Sequence, residues 1–150
     1  APQEIAATFA ELGLDASKEY VGYEFWTQEY LGALKNELRM NVPMRSVKLV
    51  AVREKADHPQ FVGDDRHITQ GAVEIEDLAW DAATCTLRLK ANSIGGFPFT
   101  SVVRVPDGYA IKSADDAEAT DADGLVRVKV ASEDSRTLDI ALHFAKEVDK

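Results

Sequence analysis

A strict two-residue alternation recurs through the C-terminal half of this chain and limits what it can fold into. Cys85, Leu87, Leu89 and Ala91 alternate with Thr86, Arg88 and Lys90; Val126, Val128 and Val130 alternate with Arg127 and Lys129; Leu138, Ile140, Leu142 and Phe144 alternate with Asp139 and His143. Extended backbone sends successive side chains to opposite faces, so each run specifies a strand with one packed face and one wet face. Turn residues punctuate the runs at Asp81–Thr84, at Pro106-Asp107-Gly108 before Tyr109 and Ile111, and at Ser132–Ser135. Phe97, Phe99, Val103 and Val105 line a further strand. Val73 and Ile75 are in one phase and Leu78 and Trp80 in the other, so an extra residue near Glu76-Asp77 marks a β-bulge.

The N-terminal half is less regular. Ile5, Phe9 and Leu12 recur at helical spacing ahead of Gly13, a natural stop, and specify one short amphipathic helix. Glu19–Trp26 is dense in strand formers, Tyr20, Val21, Tyr23, Phe25 and Trp26, and apolar on both faces, as expected of a buried or interface strand. Leu38, Met40 and Val42 alternate with polar neighbours, and a second run from Ser46 to Arg53 follows a turn at Pro43-Met44-Arg45, which suggests a hairpin. The expected fold is all-β: an antiparallel two-sheet β-sandwich of about eight strands with one short N-terminal helix, over a single domain spanning residues 1–150. An up-and-down barrel is the alternative.

Composition removes several function classes. A net charge of −9 disfavours nucleic acid and anionic membrane surfaces as partners, and no apolar run approaches a membrane span. The first residues lack a signal-peptide pattern, and Ala1-Pro2-Gln3-Glu4 reads as the start of a processed or excised chain. The single cysteine, Cys85, forms no internal disulfide and is expected to pack as a small apolar residue. His58, His67 and His143 are too scattered for a zinc site, no Gly-x-Ser-x-Gly elbow is present, and Gly95-Gly96 lacks the lysine and helix of a phosphate loop. No metal or cofactor is expected. Asp115, Asp116, Glu118, Asp121 and Asp123 form an acidic tract without EF-hand spacing and are read as a solvated loop.

The densest polar stretch is Gly63–Ile75, with Asp65, Arg66 and His67 adjacent. A carboxylate beside an imidazole can serve as an acid/base pair, but adjacency in sequence does not supply catalytic geometry, and a local turn with Asp65 and Arg66 paired is the simpler reading. His58 precedes Pro59 and is expected in an exposed loop. Exposed aromatic rings could form a sugar platform, for which Trp80, Tyr30 and Tyr109, each near a turn, are the candidates.

Five segments occur in an order that resembles a known family: Leu12-Gly13-Leu14, Tyr20-Val21-Gly22-Tyr23-Glu24-Phe25-Trp26, Leu31-Gly32, Val42–Arg53 and Asp65-Arg66-His67-Ile68-Thr69-Gln70-Gly71. Together, from residue 5 to about residue 90, they resemble the C-terminal β-sandwich domain of bacterial α-galactosidase-like (melibiase-type) glycoside hydrolases. In that family a histidine often stands where this chain has Arg45. The resemblance implies a non-catalytic accessory domain, since the catalytic aspartates belong to a (β/α)8 barrel of the same parent chain. It further implies a role in docking against and stabilising that barrel, through Ile5, Phe9, Leu12, Tyr23, Phe25 and Trp26, and a secreted or periplasmic location if the parent enzyme is exported. A carbohydrate-binding module is the competing function.

Overall fold

The computed structural model describes residues 1–147, in which thirteen strands form four antiparallel sheets. The chain divides into two compact units, one of residues 1–55 and one from Ala56 onward.

In the first unit, β1 (Gln3–Thr8) pairs with β4 (Glu37–Val42), and β2 (Tyr20–Glu24) lies between β3 (Glu29–Leu34) and β5 (Val50–Glu54). The expected N-terminal helix is not formed, and no helix occurs among the described residues. Its local signals are real, however. Thr8 and Glu11 make a capping box, in which the Thr8 N–H donates to Glu11 Oε2 (2.8 Å) and the Glu11 N–H donates to Thr8 Oγ1 (3.3 Å). One helical turn follows, with Leu12 N–H donating to the Thr8 carbonyl, and Gly13 at φ 71° then closes it. Residues 3–8 take the other option open to a short segment, whose isolated helix is marginal in water: they satisfy their backbone against β4, with Ile5 opposite Met40. Of the apolar triplet only Phe9 is buried, edge-to-face with Tyr20 at 4.9 Å.

The expected hairpin between the 38–42 and 46–53 runs is also replaced. β4 pairs with β1, while β5 pairs with β2. The cause lies in residues 43–49, where Pro43 lacks a donor, Arg45 adopts φ 58°, and the chain is drawn to Glu24. That buried carboxylate accepts the N–H groups of Leu49 (3.0 Å), Thr27 (2.8 Å) and Trp26 (3.2 Å) and the Thr27 hydroxyl (2.6 Å), with Lys48 Nζ at 3.4 Å. It thereby closes the β2–β3 turn and anchors the entry to β5.

The two-sheet sandwich expected over residues 1–150 is confined to the second unit, and the described residues form thirteen strands rather than about eight. One sheet has the order β10 (Tyr109–Asp115), β13 (Arg136–Lys146), β8 (Thr86–Ser93), β7 (Ile75–Asp81). The other runs β11 (Glu118–Ala122), β12 (Leu125–Val130), β9 (Phe99–Arg104), β6 (Gln60–Asp64). Leu87, Leu89, Leu138, Ile140, Leu142 and Phe144 from the first sheet meet Phe61, Phe99, Val103, Val126, Val128 and Val130 from the second in one buried core. Each such side chain contributes roughly 1.5–3 kcal/mol by leaving water. The bulge expected near Glu76 is present as a register shift between Ile75 and Asp77. The acidic tract is not a loop: it ends β10 and forms edge strand β11, whose residues are all exposed. Its backbone is paired with β12 while its carboxylates stay in water, which suits an edge.

Glu24 yields a prediction about acid stability. Desolvation opposes its charge, but hydrogen bonds from Thr27, Leu49 and Trp26 outweigh it and hold the carboxyl down at about 2, against 4.5 normally. Its stabilising contribution is therefore complete above pH 4.5 and lost as pH falls through about 2. Glu24→Gln should cost about 2–3 kcal/mol at pH 7 in urea unfolding. It should also flatten the decline in stability on the acid limb.

Candidate functional site

The Gly63–Ile75 segment leaves the end of β6 and crosses to β7, and its side chains part in opposite directions. Asp64 turns inward, its Oδ1 accepting the Arg66 N–H at 3.1 Å. Asp65 clamps the start of β9: its Oδ1 accepts the Thr100 N–H at 2.7 Å, and its own N–H donates to the Thr100 carbonyl at 3.2 Å. Arg66 reaches outward, donating from Nη1 to the Phe97 carbonyl at 3.3 Å, with its guanidinium carbon 5.3 Å from the Phe99 ring centre. His67 stays exposed, its Nδ1 2.9 Å from Thr69 Oγ1. Asp65, Arg66 and His67 thus serve three different neighbours and do not converge on one reacting position. Gly71 completes the turn at φ 101°; a Cβ there would lie 2.6 Å from the Phe61 ring, so only glycine fits.

Above this turn lies a cleft of about 550 Å³ lined by Asp65, Arg66, Ile94, Phe97 and Pro98. Phe97 presents its ring to solvent with 69% of its surface exposed. An open ring beside a guanidinium and a carboxylate combines an apolar stacking face with groups that orient hydroxyls.

The aromatic residues singled out from sequence lie elsewhere and are partly buried. Trp80 is stacked on His58 (centroids 4.9 Å apart, planes at 2°) and packs against Tyr109 at 5.8 Å and Phe144 at 6.1 Å. His58 is accordingly half-buried rather than a loop side chain in water. Tyr109 has Lys146 Nζ 6.0 Å above its ring, and Tyr30 sits opposite Tyr23 in the β2–β3 pair. Of the interface candidates, Phe9 and Tyr23 are buried and Phe25 is half-buried, 5.0 Å from Trp26, while Ile5, Leu12 and Trp26 are exposed.

Two arrangements were not legible in the sequence. His143 bridges Asp115 Oδ2 (2.8 Å from Nε2) and Thr86 Oγ1 (3.1 Å from Nδ1), across β10, β13 and β8. This has the order of an acid–base–nucleophile triad, but Thr86 is buried and its hydroxyl donates to the Thr84 carbonyl at 3.2 Å while accepting from Thr84 Oγ1 at 3.0 Å. An exposed, activated oxygen is what nucleophilic catalysis requires, and the constellation lacks it. The signal was available in part, since His143 alternates away from the apolar face of its strand.

The second arrangement is a pair of buried carboxylates, Asp64 and Glu74. Burial, chiefly, pushes the Asp64 carboxyl up to about 6 from 3.8; Glu74 and Asp65 add to the rise, and the Arg66 and His67 N–H groups oppose it. Among the described residues, no three His, Cys, Asp or Glu side chains gather as a metal-binding group. Compared with known proteins, the chain matches no family model, no curated protein and no solved structure.

A raised carboxyl in the folded state favours the protonated form, so the stability it contributes is complete below pH 3.8 and lost as pH rises through about 6. In metal-free buffer, Asp64→Asn should remove this slope. It should raise stability at pH 7.5 by about 2–3 kcal/mol, as read from urea midpoints on either side of pH 6.

Proposed function

We propose that the chain is a non-catalytic accessory domain of a bacterial glycoside hydrolase of α-galactosidase type, packing against and stabilising the (β/α)8 catalytic barrel of its parent. The observation that carries this reading is the surface of the first unit. Residues 1–55 bury Phe9, Tyr20, Val21 and Tyr23, yet leave Ile5, Leu12, Trp26, Met44 and Val47 exposed, Trp26 at 58%. So small a unit has little core of its own, and large apolar side chains left in water are what a docking surface would present. The ordered resemblance of residues 5 to 90 supplies the identity of that body.

The test is to express the full reading frame that encodes this chain, with and without residues 1–150. Removal of the domain should lower the melting temperature of the barrel by roughly 5 °C or more. Trp26→Asp with Met44→Asp should reproduce that loss while shifting the isolated chain's own stability by no more than about 0.5 kcal/mol. A frame without a barrel, or a barrel whose melting ignores the domain, sinks the reading.

A second reading, carbohydrate binding, is favoured by the cleft at Phe97 in place of Trp80, Tyr30 and Tyr109. Titration with α-galactosides should perturb the amide resonances of Arg66 and Phe97, and Phe97→Ala should weaken binding about tenfold without unfolding the domain. Unchanged spectra at millimolar sugar would exclude it.

A further inference from the structure

Among the described residues, the buried side-chain oxygens of the second unit that lack a hydrogen-bond partner include Asp64 Oδ2, Glu74 Oε2, Ser93 Oγ and Ser101 Oγ. Their residues are exposed by 0%, 3%, 3% and 0%. The topology brings them to one end of the sandwich interior. Asp64 and Ser101 are direct cross-strand partners, and Ser101 shares its face of β9 with the core residues Phe99 and Val103. Ser93 extends the inward row of Leu87, Leu89 and Ala91 along β8. Glu74 is fixed beside it, its carbonyl accepting the Asn92 N–H at 2.7 Å, and its carboxylate acts on that of Asp64.

We propose that this polar end of the sandwich is a buried binding site for a calcium-class divalent cation, with Asp64 and Glu74 as its anionic ligands and Ser93 and Ser101 as neutral ones. Leaving a buried oxygen without a partner is costly, so four at one end of the sandwich call for a common partner. The neighbouring carboxylates of Glu74 and Asp65 both disfavour a charge on Asp64. A single shared proton would neutralise one of the two carboxylates and leave both serine oxygens unsatisfied. A divalent ion neutralises both and accepts all four ligands. Oxygen-only donors select hard cations over zinc or copper. Donors drawn from four separate segments suit the irregular six- to eightfold coordination of calcium better than the rigid octahedron of magnesium. The ion would pin the crossing from β6 to β7, and with it the placement of Asp65 and Arg66. This inference is independent of whether the chain docks on a barrel or binds sugar.

The test uses the whole chain after chelator treatment and dialysis. At pH 7.5, calcium chloride should raise the melting temperature by roughly 5 °C or more and give a saturable calorimetric isotherm, with magnesium weaker and sodium without effect. Asp64→Asn and Glu74→Gln should each abolish the shift, whereas Asp139→Asn, at an exposed position, should retain it. At pH 5 affinity should fall at least tenfold, since protons compete with the metal for carboxylate ligands. Should either carboxylate variant fail to fold, Ser101→Ala is expected to fold and to bind calcium about tenfold more weakly. The proposal is overturned if calcium produces neither heat nor a shift at pH 7.5, or if the shift survives unchanged in Asp64→Asn or Ser101→Ala.

Discussion

A carboxylate inside a β-domain stays charged only if donors replace the water it has lost, and the two units of this chain meet that demand differently. Glu24 is surrounded by three backbone N–H groups, a hydroxyl and a lysine, and remains ionised far into acid. Asp64 has donors on one oxygen only, faces further acidic groups, and is driven toward its neutral form near pH 6. Both are closed to solvent, and desolvation, the chief cause of the rise at Asp64, is outweighed at Glu24 by its larger set of donors. Glu24 organises its unit by collecting backbone from the β2–β3 turn and the start of β5. Asp64 does so incompletely, and the remaining demand appears as orphaned oxygens at one end of the sandwich.

The same end carries the outward cleft. Asp64 ends β6 and points into the sandwich, while Asp65 begins the bend that follows and is turned to Thr100 on β9. Arg66 follows, held over Phe99 and against the Phe97 carbonyl. The position of the guanidinium beside the exposed Phe97 ring therefore depends on how firmly the chain is held one and two residues earlier. Whatever satisfies Asp64 Oδ2 inside also sets the rigidity of the cleft outside.

The second unit was largely readable from the chain because its signal is repeated and local. Four inward residues in register on β13, three on β12 and a matching row on β8 leave no other face to bury, and a one-residue slip would expose them all. The first unit was not, because its decisive interactions are long-range. A capping box and a period of three to four residues around Phe9 encode a helix start that lasts one turn, and whether residues 3–8 join it depends on β4, about thirty residues away. Likewise nothing near Val47 or Leu49 announces that their segment will be claimed by Glu24. The Asp65-Arg66-His67 cluster drew notice by being polar in a row, yet its members diverge. The chemically distinctive residues, Asp64, Glu74 and Ser101, are spread over 38 positions and stand out only when the register places them together.

Polar residues in the inward rows bear on why this end of the sandwich differs from the rest. Ser93 and Ser101 occupy positions where the alternation on β8 and β9 elsewhere places Leu, Ala, Phe or Val, and Asp64 closes a strand that buries Phe61 and Val62. Apolar residues of similar size at those three positions would extend the dry core without leaving a polar atom unsatisfied, and buried polar groups exchanged for well-packed apolar ones commonly leave a protein equally or more stable. The serines and the aspartate cannot be justified by packing. Nor do they bond with one another, since each keeps an oxygen without a partner. Their presence in a row otherwise filled by hydrocarbon is accounted for by a guest that the core itself does not supply, and the acidic balance of the group fixes the sign of that guest's charge.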